Sequence, residues 1–195
     1  MPNWGVAFMG CSAYGKIAVP MLPDFSVDEI KNIMEHSECK GLFVSKRLYH
    51  KITDEMKEKL SFIIEVDDFK VLKGETCNEK ENAEVEKMTS AEEDLATIIY
   101  TSGTTGNSKG VMLTHKNYTV QLSAIHNFIY CKKGEWWMTI LPVWHSFERI
   151  IQYIAILFTA GLAYSKPVAS IMLADLAVIK PQWICGVPRL WEALA

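Results

Sequence analysis

Tyr100-Thr101-Ser102-Gly103-Thr104-Thr105-Gly106-Asn107-Ser108-Lys109-Gly110 is the stretch on which the reading of this chain turns. It follows Leu95-Ala96-Thr97-Ile98-Ile99, a short apolar run of the kind that forms a buried strand. Hydroxyl side chains crowd between the glycines, and a single lysine closes the segment. Glycines let backbone N–H groups turn inward into an anion nest. Thr and Ser hydroxyls add donors, and Lys109 adds a charge that reaches a phosphate. The segment has the chemistry of a loop that wraps phosphate oxygens.

Its spacing sets it apart from two better-known phosphate loops. A Walker loop places glycine directly before the lysine and Ser or Thr directly after it. Here Ser108 precedes Lys109 and Gly110 follows. A dinucleotide fingerprint needs Gly-x-Gly-x-x-Gly, and Gly103, Gly106 and Gly110 do not fit it.

Outward from this loop, helix-like and strand-like segments alternate, which predicts an α/β fold with a largely parallel sheet flanked by helices. Trp4 to Tyr14 reads as a helix ending at Gly15, and Ile17 to Pro20 as a short strand. Ser26 and Glu29 form a capping box. The box opens a helix that turns Val27, Ile30, Ile33 and Met34 to the core. Gly41 to Val44 reads as a strand, Arg47 to Leu60 as a charged helix, and Phe62 to Val66 as a strand. Residues 67–94, rich in Glu, Lys, Asn and Ser, read as a solvated connection. Beyond the loop, Tyr118, Leu122, Ile125 and Ile129 recur at helical spacing, with His126 as a polar flank. Trp137 to Leu141 reads as a strand. Phe147 to Ala160 reads as a helix with Gly161 as its C-cap. Gln182 to Val187 reads as a last strand before a helix that begins at Pro188. The expected organisation is a first α/β part over 1–66, an exposed connection over 67–94 and a phosphate-loop α/β part over 95–195.

Composition narrows the classes. The chain has 195 residues, 49% of them hydrophobic, enough for a core in one domain or slightly more. A net charge of −3 lacks the basic footprint of a nucleic-acid binder. The five cysteines are scattered, with no Cys-x-x-Cys pair, which fits free thiols in a reducing compartment. No basic segment precedes an apolar one at the N-terminus, so no signal peptide is expected. The apolar run from Ile150 to Tyr164, broken by Gln152, is too short for a membrane span and suits a buried helix. A cytoplasmic location is expected, with peripheral membrane contact compatible with it.

A second informative block is Leu141-Pro142-Val143-Trp144-His145-Ser146-Phe147-Glu148-Arg149, placed where a strand runs into a helix. Open α/β sheets bind ligands at the carboxyl ends of their strands. By that rule this block and the Thr101–Lys109 loop are expected to line one cleft. Trp144 offers a flat apolar surface for an alkyl chain, and His145 a donor for a carboxylate. Glu148 and Arg149 read as a local ion pair on the first helical turn.

These two blocks resemble the signature elements of the adenylate-forming superfamily of acyl- and aryl-CoA synthetases, peptide adenylation domains and luciferases. The superfamily loop reads Ser/Thr-Ser-Gly-Thr-Thr-Gly-x-Pro-Lys-Gly, and this chain departs from it only at Ser108, where proline is usual. The second block resembles the Leu-Pro-Leu-x-His-x-Phe-Glu-Arg form of the long-chain acyl-CoA synthetase group. Gly161-Leu162-Ala163-Tyr164 and Val187-Pro188-Arg189-Leu190-Trp191-Glu192 resemble that group as well.

The resemblance implies that the chain is part of the large N-terminal domain of such an enzyme. The implied reaction has ATP and a long-chain fatty acid giving acyl-adenylate and pyrophosphate, then coenzyme A giving acyl-CoA and AMP. It implies ATP-phosphate binding by Thr101, Ser102, Gly103, Thr104, Thr105, Gly106 and Lys109, with magnesium offsetting the triphosphate charge. It also implies an acyl or adenylate site at His145, with Trp144 in the pocket wall. The family's adenine, ribose and hinge elements and its C-terminal domain are not found in residues 1–195. The isolated chain is therefore expected to be inactive without the remainder of a longer protein. Another carboxylic acid, transfer to an acyl-carrier protein, and an inactive nucleotide-binding fragment are the other readings the residues leave open.

Overall fold

A computed structural model describes residues 2–76, 85, 88–101, 109–125 and 127–192. It is α/β throughout, and contacts divide it into two units, Met1–His115 and Lys116–Ala195.

The first unit opens with helix α1 (Pro2–Ala13), closed by Gly15 at φ 65°. Helix α2 (Val27–His36) begins where the capping box predicts. Glu29 N donates to Ser26 Oγ at 3.2 Å, and Ser26 N donates to the Glu29 carboxylate at 2.7 Å. Ile30, Ile33 and Met34 are buried as expected, whereas Val27, on the same stripe but at the first position of the helix, remains exposed. Strand β1 (Gly41–Val44) pairs parallel with β2 (Phe62–Glu65), and β2 pairs antiparallel with β3 (Lys70–Lys73). The single helix expected over 47–60 is two pieces. A 3-10 turn spans Lys46–Lys51, then helix α3 (Asp54–Lys59) restarts under its own cap, with Met56 N donating to Thr53 Oγ1 at 3.3 Å. Thr53 breaks the helix because its hydroxyl takes a backbone donor that would otherwise point along the axis. Strand β3 lies inside the segment read as a connection. Its composition hid it because a short edge strand carrying lysines looks like a solvated loop.

Ile30, Met34, Leu42, Val44, Ile52, Met56, Leu60 and Ile63 form one core cluster. Over its rim Lys31 pairs with Glu55 at 2.7 Å and Lys59 with Glu35 at 2.7 Å. These exposed pairs add little to stability, because solvent screens them.

Strand β4 (Leu95–Thr101) pairs antiparallel with β5 (Lys109–Thr114), a strand the reading did not anticipate. In place of the short strand expected at 17–20 there is an isolated bridge, Ala18 to Thr97. There Ile98 N donates to Ala18 O at 3.0 Å and Thr97 Oγ1 to the same carbonyl at 2.6 Å.

The second unit is a three-stranded, all-parallel sheet in the order β7-β6-β8: β7 (Gly161–Tyr164), β6 (Trp136–Thr139) and β8 (Trp183–Ile184). Helix α4 (His115–Ile125) leads into it and buries Tyr118, while Leu122 and Ile125 are only half-buried. His126 lies outside the described residues. Helix α5 (Ser146–Leu157) connects β6 to β7, and helix α6 (Ala169–Ile179) connects β7 to β8. A short helix α7 (Pro188–Glu192) follows. The left-handed residue after α5 is Thr159, at φ 57°; Gly161 instead opens β7. Gly161 is needed there because a Cβ would stand 2.6 Å from the Trp136 ring paired with it. Trp137 stacks on Trp183 across β6 and β8, with ring centroids 5.1 Å apart.

Gly110 meets a similar constraint opposite Tyr100. A Cβ at Gly110 would lie 2.8 Å from Ile98 Cγ2 and 3.4 Å from Tyr100 Cζ. The Ile98 methyl is β-branched and stiff, so Gly110→Ala is expected to lower stability by about 1–3 kcal/mol through overpacking. Urea unfolding should show a lower midpoint at unchanged m; an unchanged midpoint would mean that the hairpin yields without strain.

Candidate functional site

The β4–β5 hairpin, in the Met1–His115 unit, carries one candidate element. Its last paired residues are Thr101 and Lys109, which face each other in register at the mouth of the loop, and both are exposed. Ser102, Gly103, Thr104, Thr105 and Gly106, together with Asn107 and Ser108, lie outside the described residues. The pairing fixes where the loop leaves and rejoins the sheet. It also sets its class, because a Walker loop runs from a strand into a helix, whereas this one runs from strand to antiparallel strand. Among the described residues, the segment that Lys109 opens is a strand and not a helix, so the rejoining chain offers Lys109 and no helix N-terminus to an anion.

The hairpin is held from one side by α2. The Tyr100 hydroxyl and His36 Nδ1 are 2.6 Å apart, with the rings edge to face. Tyr100 is buried, and burial raises its phenol pKa. The final buried residue before the loop therefore has a fixed partner.

A separate candidate element lies within the Lys116–Ala195 unit. Strand β6 is central, with β7 on one side and β8 on the other. Chain leaving the carboxyl end of such a strand enters the crevice where open α/β sheets take their ligands. Leu141 to His145 is that chain. His145 N donates to Pro142 O at 2.9 Å, which closes a turn over Pro142, Val143, Trp144 and His145. His145 is exposed and caps α5: its Nδ1 accepts from Phe147 N at 3.2 Å. A ring nitrogen that accepts carries no proton, so Nε2 bears the hydrogen and is the side chain's remaining donor. Trp144 is half-buried beside it.

Directly behind this turn, α5 buries charge. Glu148 is 1% exposed, Arg149 2% and Gln152 1%. Burial pushes the Glu148 carboxyl up to about 7, partly offset by Gln152, the Leu141 backbone and Arg149. Neither carboxyl oxygen is in full hydrogen-bonding geometry with a partner. Burial likewise lowers the Arg149 guanidinium to about 10, opposed by Tyr118, Tyr153, Tyr164 and Glu148. Tyr118 is raised to about 12, chiefly by burial. Arg149 Nη2 donates to Val143 O at 2.7 Å, and the Tyr164 hydroxyl donates to Gln152 Oε1 at 3.4 Å.

From the sequence Glu148 and Arg149 read as a local ion pair on the first helical turn, and Gln152 only as a break in the apolar run. The available sign was the run Ile150 to Tyr164: a helix apolar on most of its faces is interior, and the polar residues it carries are then interior too.

Among the described residues no group of three or more His, Cys, Asp or Glu side chains could hold a metal ion. Cys11, Cys39, Cys131 and Cys185 are free thiols. No helix among the described residues is long and apolar enough to cross a membrane.

A signature-type loop on an antiparallel hairpin, together with a histidine-capped turn at the end of a central parallel strand, defines a class. The family model "AMP-binding enzyme" matches residues 1–195, and the chain belongs to that family. It is 30% identical to the long-chain-fatty-acid–acyl-carrier-protein ligase AEE15, chloroplastic, of Arabidopsis thaliana, over 98% of this chain and 30% of that protein. It is 28% identical to long-chain-fatty-acid–CoA ligase 1 of Homo sapiens, over 97% of this chain and 30% of that one. The chain thus spans about a third of the length of these curated relatives. Among solved structures, O-succinylbenzoate coenzyme A synthetase from Bacillus subtilis, in complex with ATP and magnesium, superposes with TM-score 0.78 at 20% identity. That match covers 100% of this chain and 39% of the other. MatB from Rhodopseudomonas palustris, bound to ATP, gives TM-score 0.76 at 17% identity, over 100% of this chain and 39% of that one. The fold is that of the N-terminal domain of adenylate-forming enzymes.

The buried carboxyl makes a prediction about pH. Glu148 has a folded pKa raised above its ordinary value, so the folded state holds its proton more tightly than the unfolded chain. The penalty is absent below the ordinary carboxylate pKa and grows as pH rises to about 7, reaching about 3 kcal/mol. Glu148→Gln is expected to lose this dependence and to gain on the native protein between pH 5 and pH 8. Urea midpoints at both pH values check it; parallel profiles would show that the carboxyl is not held in a dry site.

Proposed function

We propose that this chain is part of an ATP-dependent ligase that activates a long-chain fatty acid as its acyl-adenylate and passes the acyl group to coenzyme A. The observation that carries the reading is the in-register pair Thr101–Lys109 closing the signature loop in a member of the AMP-binding family. A carboxylate oxygen of the acid attacks the α-phosphorus of ATP and expels pyrophosphate. The coenzyme A thiolate then attacks the acyl carbonyl carbon and expels AMP. The first step depends on positioning and charge neutralisation more than on covalent help from the protein.

In this reading Thr101, Ser102, Gly103, Thr104, Thr105, Gly106 and Lys109 hold the β- and γ-phosphates. Lys109 is exposed at the loop mouth, free of the core, and so placed to reach an anion. Magnesium neutralises the triphosphate and arrives with the nucleotide. His145 Nε2–H donates to the acid or adenylate, and Trp144 lines the acyl pocket. The protein acts in the cytoplasm, with contact to membrane surfaces where its substrate resides.

A second reading shares the adenylation step and differs in the acceptor. The relative from Arabidopsis thaliana is named for transfer to acyl-carrier protein, which favours an acyl-carrier protein in place of coenzyme A. Full-length protein given palmitate, ATP and each acceptor in turn distinguishes the two by which thioester forms. Hexanoate, benzoate and amino acids in a hydroxamate assay test the choice of acid.

Lys109→Ala in the full-length protein is expected to raise the KM for ATP or slow adenylation tenfold to about a hundredfold. That is the value of one charge-assisted phosphate contact, about 1.5–3 kcal/mol. Thermal stability should change little, because the side chain is exposed. Wild-type ATP kinetics in the variant would remove the loop from the mechanism.

A further inference from the structure

Arg149 has no role in the reading above, yet its placement is costly. A guanidinium 2% exposed inside a helix next to Ile150 and Ile151 must give up its hydration. Apolar replacements of buried ions are often neutral or stabilising. What the arginine touches suggests a reason for its presence. Its Nη2 donates at 2.7 Å to the carbonyl of Val143, which belongs to the peptide bond joining Val143 to Trp144. The same residue's backbone N–H donates to His145 O at 3.1 Å. One residue therefore holds the turn at two points, on either side of Trp144. From the opposite edge of the turn, the Leu141 backbone lies by the Glu148 carboxyl, which neighbours Gln152, and Gln152 accepts from Tyr164 on β7. The turn is thus braced from beneath by buried polar groups of α5, whereas the exposed side carries His145 and its donor.

We propose that Arg149 is a positioning residue for the acid-binding turn, its guanidinium fixing the Val143–Trp144 peptide so that Trp144 and His145 stand where a carboxylate and its alkyl chain meet them. This rests on the functional reading above and deepens it. A peptide plane that rotates carries both neighbouring side chains with it, so loss of one buried hydrogen bond moves the indole and the imidazole together. Arg149 itself touches no reacting atom. Its effect should fall on the acid and spare the nucleotide, which the reading gives to the hairpin loop.

The experiment compares full-length wild type, Arg149→Lys and Arg149→Met in ATP–pyrophosphate exchange with palmitate. Amide hydrogen exchange on residues 141–147 is measured in parallel. Arg149→Met is expected to raise the KM for palmitate about tenfold or more while the KM for ATP stays within about twofold. Arg149→Lys keeps the charge and one donor, so it should recover part of that loss. Faster exchange confined to the turn, led by the His145 amide, should accompany it. Equal changes in both KM values, no rescue by lysine, or exchange spread over the whole unit would overturn the proposal and make Arg149 a general stabilising residue. If Arg149→Met does not fold, Arg149→Lys carries both readouts. If wild type shows no exchange with any carboxylic acid, the functional reading fails; hydrogen exchange still decides whether Arg149 holds the turn, and unchanged protection would sink it.

Discussion

A parallel strand cannot turn back to its neighbour; it must be reached by a crossover, and that requirement organises residues 136–184. Strand β6 has a parallel partner on each edge. Each partner arrives through a helix, α5 on the way to β7 and α6 on the way to β8. The strand is consequently interior: Trp137, Met138, Thr139 and Ile140 are all nearly inaccessible. The chain that leaves it has to emerge between its two neighbours. Leu141 to His145 therefore follows the carboxyl end of the central strand as a result of topology, and α5 starts directly after it. Glu148 and Arg149 are buried because they stand on the covered side of that helix, whereas Ser146 and Phe147 in the same turn face solvent.

The Met1–His115 unit answers a different demand. Its loop is carried by two antiparallel strands that need no crossover, so both ends of the loop are pinned within one register step. Anchorage comes from backbone pairing, from Gly110 under the Tyr100 ring and from the Tyr100–His36 hydrogen bond. A helix-borne loop gains from the helix dipole; this one forgoes it and depends on donors of its own. That dependence explains why the segment is so rich in hydroxyls and why its lysine sits on the rejoining strand. Departure from proline at Ser108 leaves the lysine in register with Thr101.

Much of this was legible in the chain. The capping box at Ser26, the helix ending at Gly15, the strands expected at 41–44, 62–66 and 95–100, each found to within one residue, and the α/β class itself rest on local rules that tertiary contacts do not override. What local rules missed has a common cause. Strand β3 and strand β5 are edge or hairpin strands with polar or glycine-bearing sequences, whose identity lies in their partners. Helix α6 is apolar on nearly every face and lacks a side-chain cap, so periodicity gave no direction to follow. The break at Thr53 depends on a hydroxyl choosing a backbone donor. At the second site Trp144 and His145 stood out by residue type, but the burial behind them did not. Charged letters are read as surface unless the helix that bears them is known to be covered.

Glu148 and Arg149 also bear on how such a sequence ages. Both are held inside at the expense of stability, and an apolar pair of similar size would give a firmer fold. In a lineage released from the need to hold that turn, drift and selection for stability would act in the same direction and remove them early. A relative that keeps the hairpin loop but carries two aliphatic residues here would have preserved its architecture while losing the Arg149 hydrogen bond to the Val143 carbonyl.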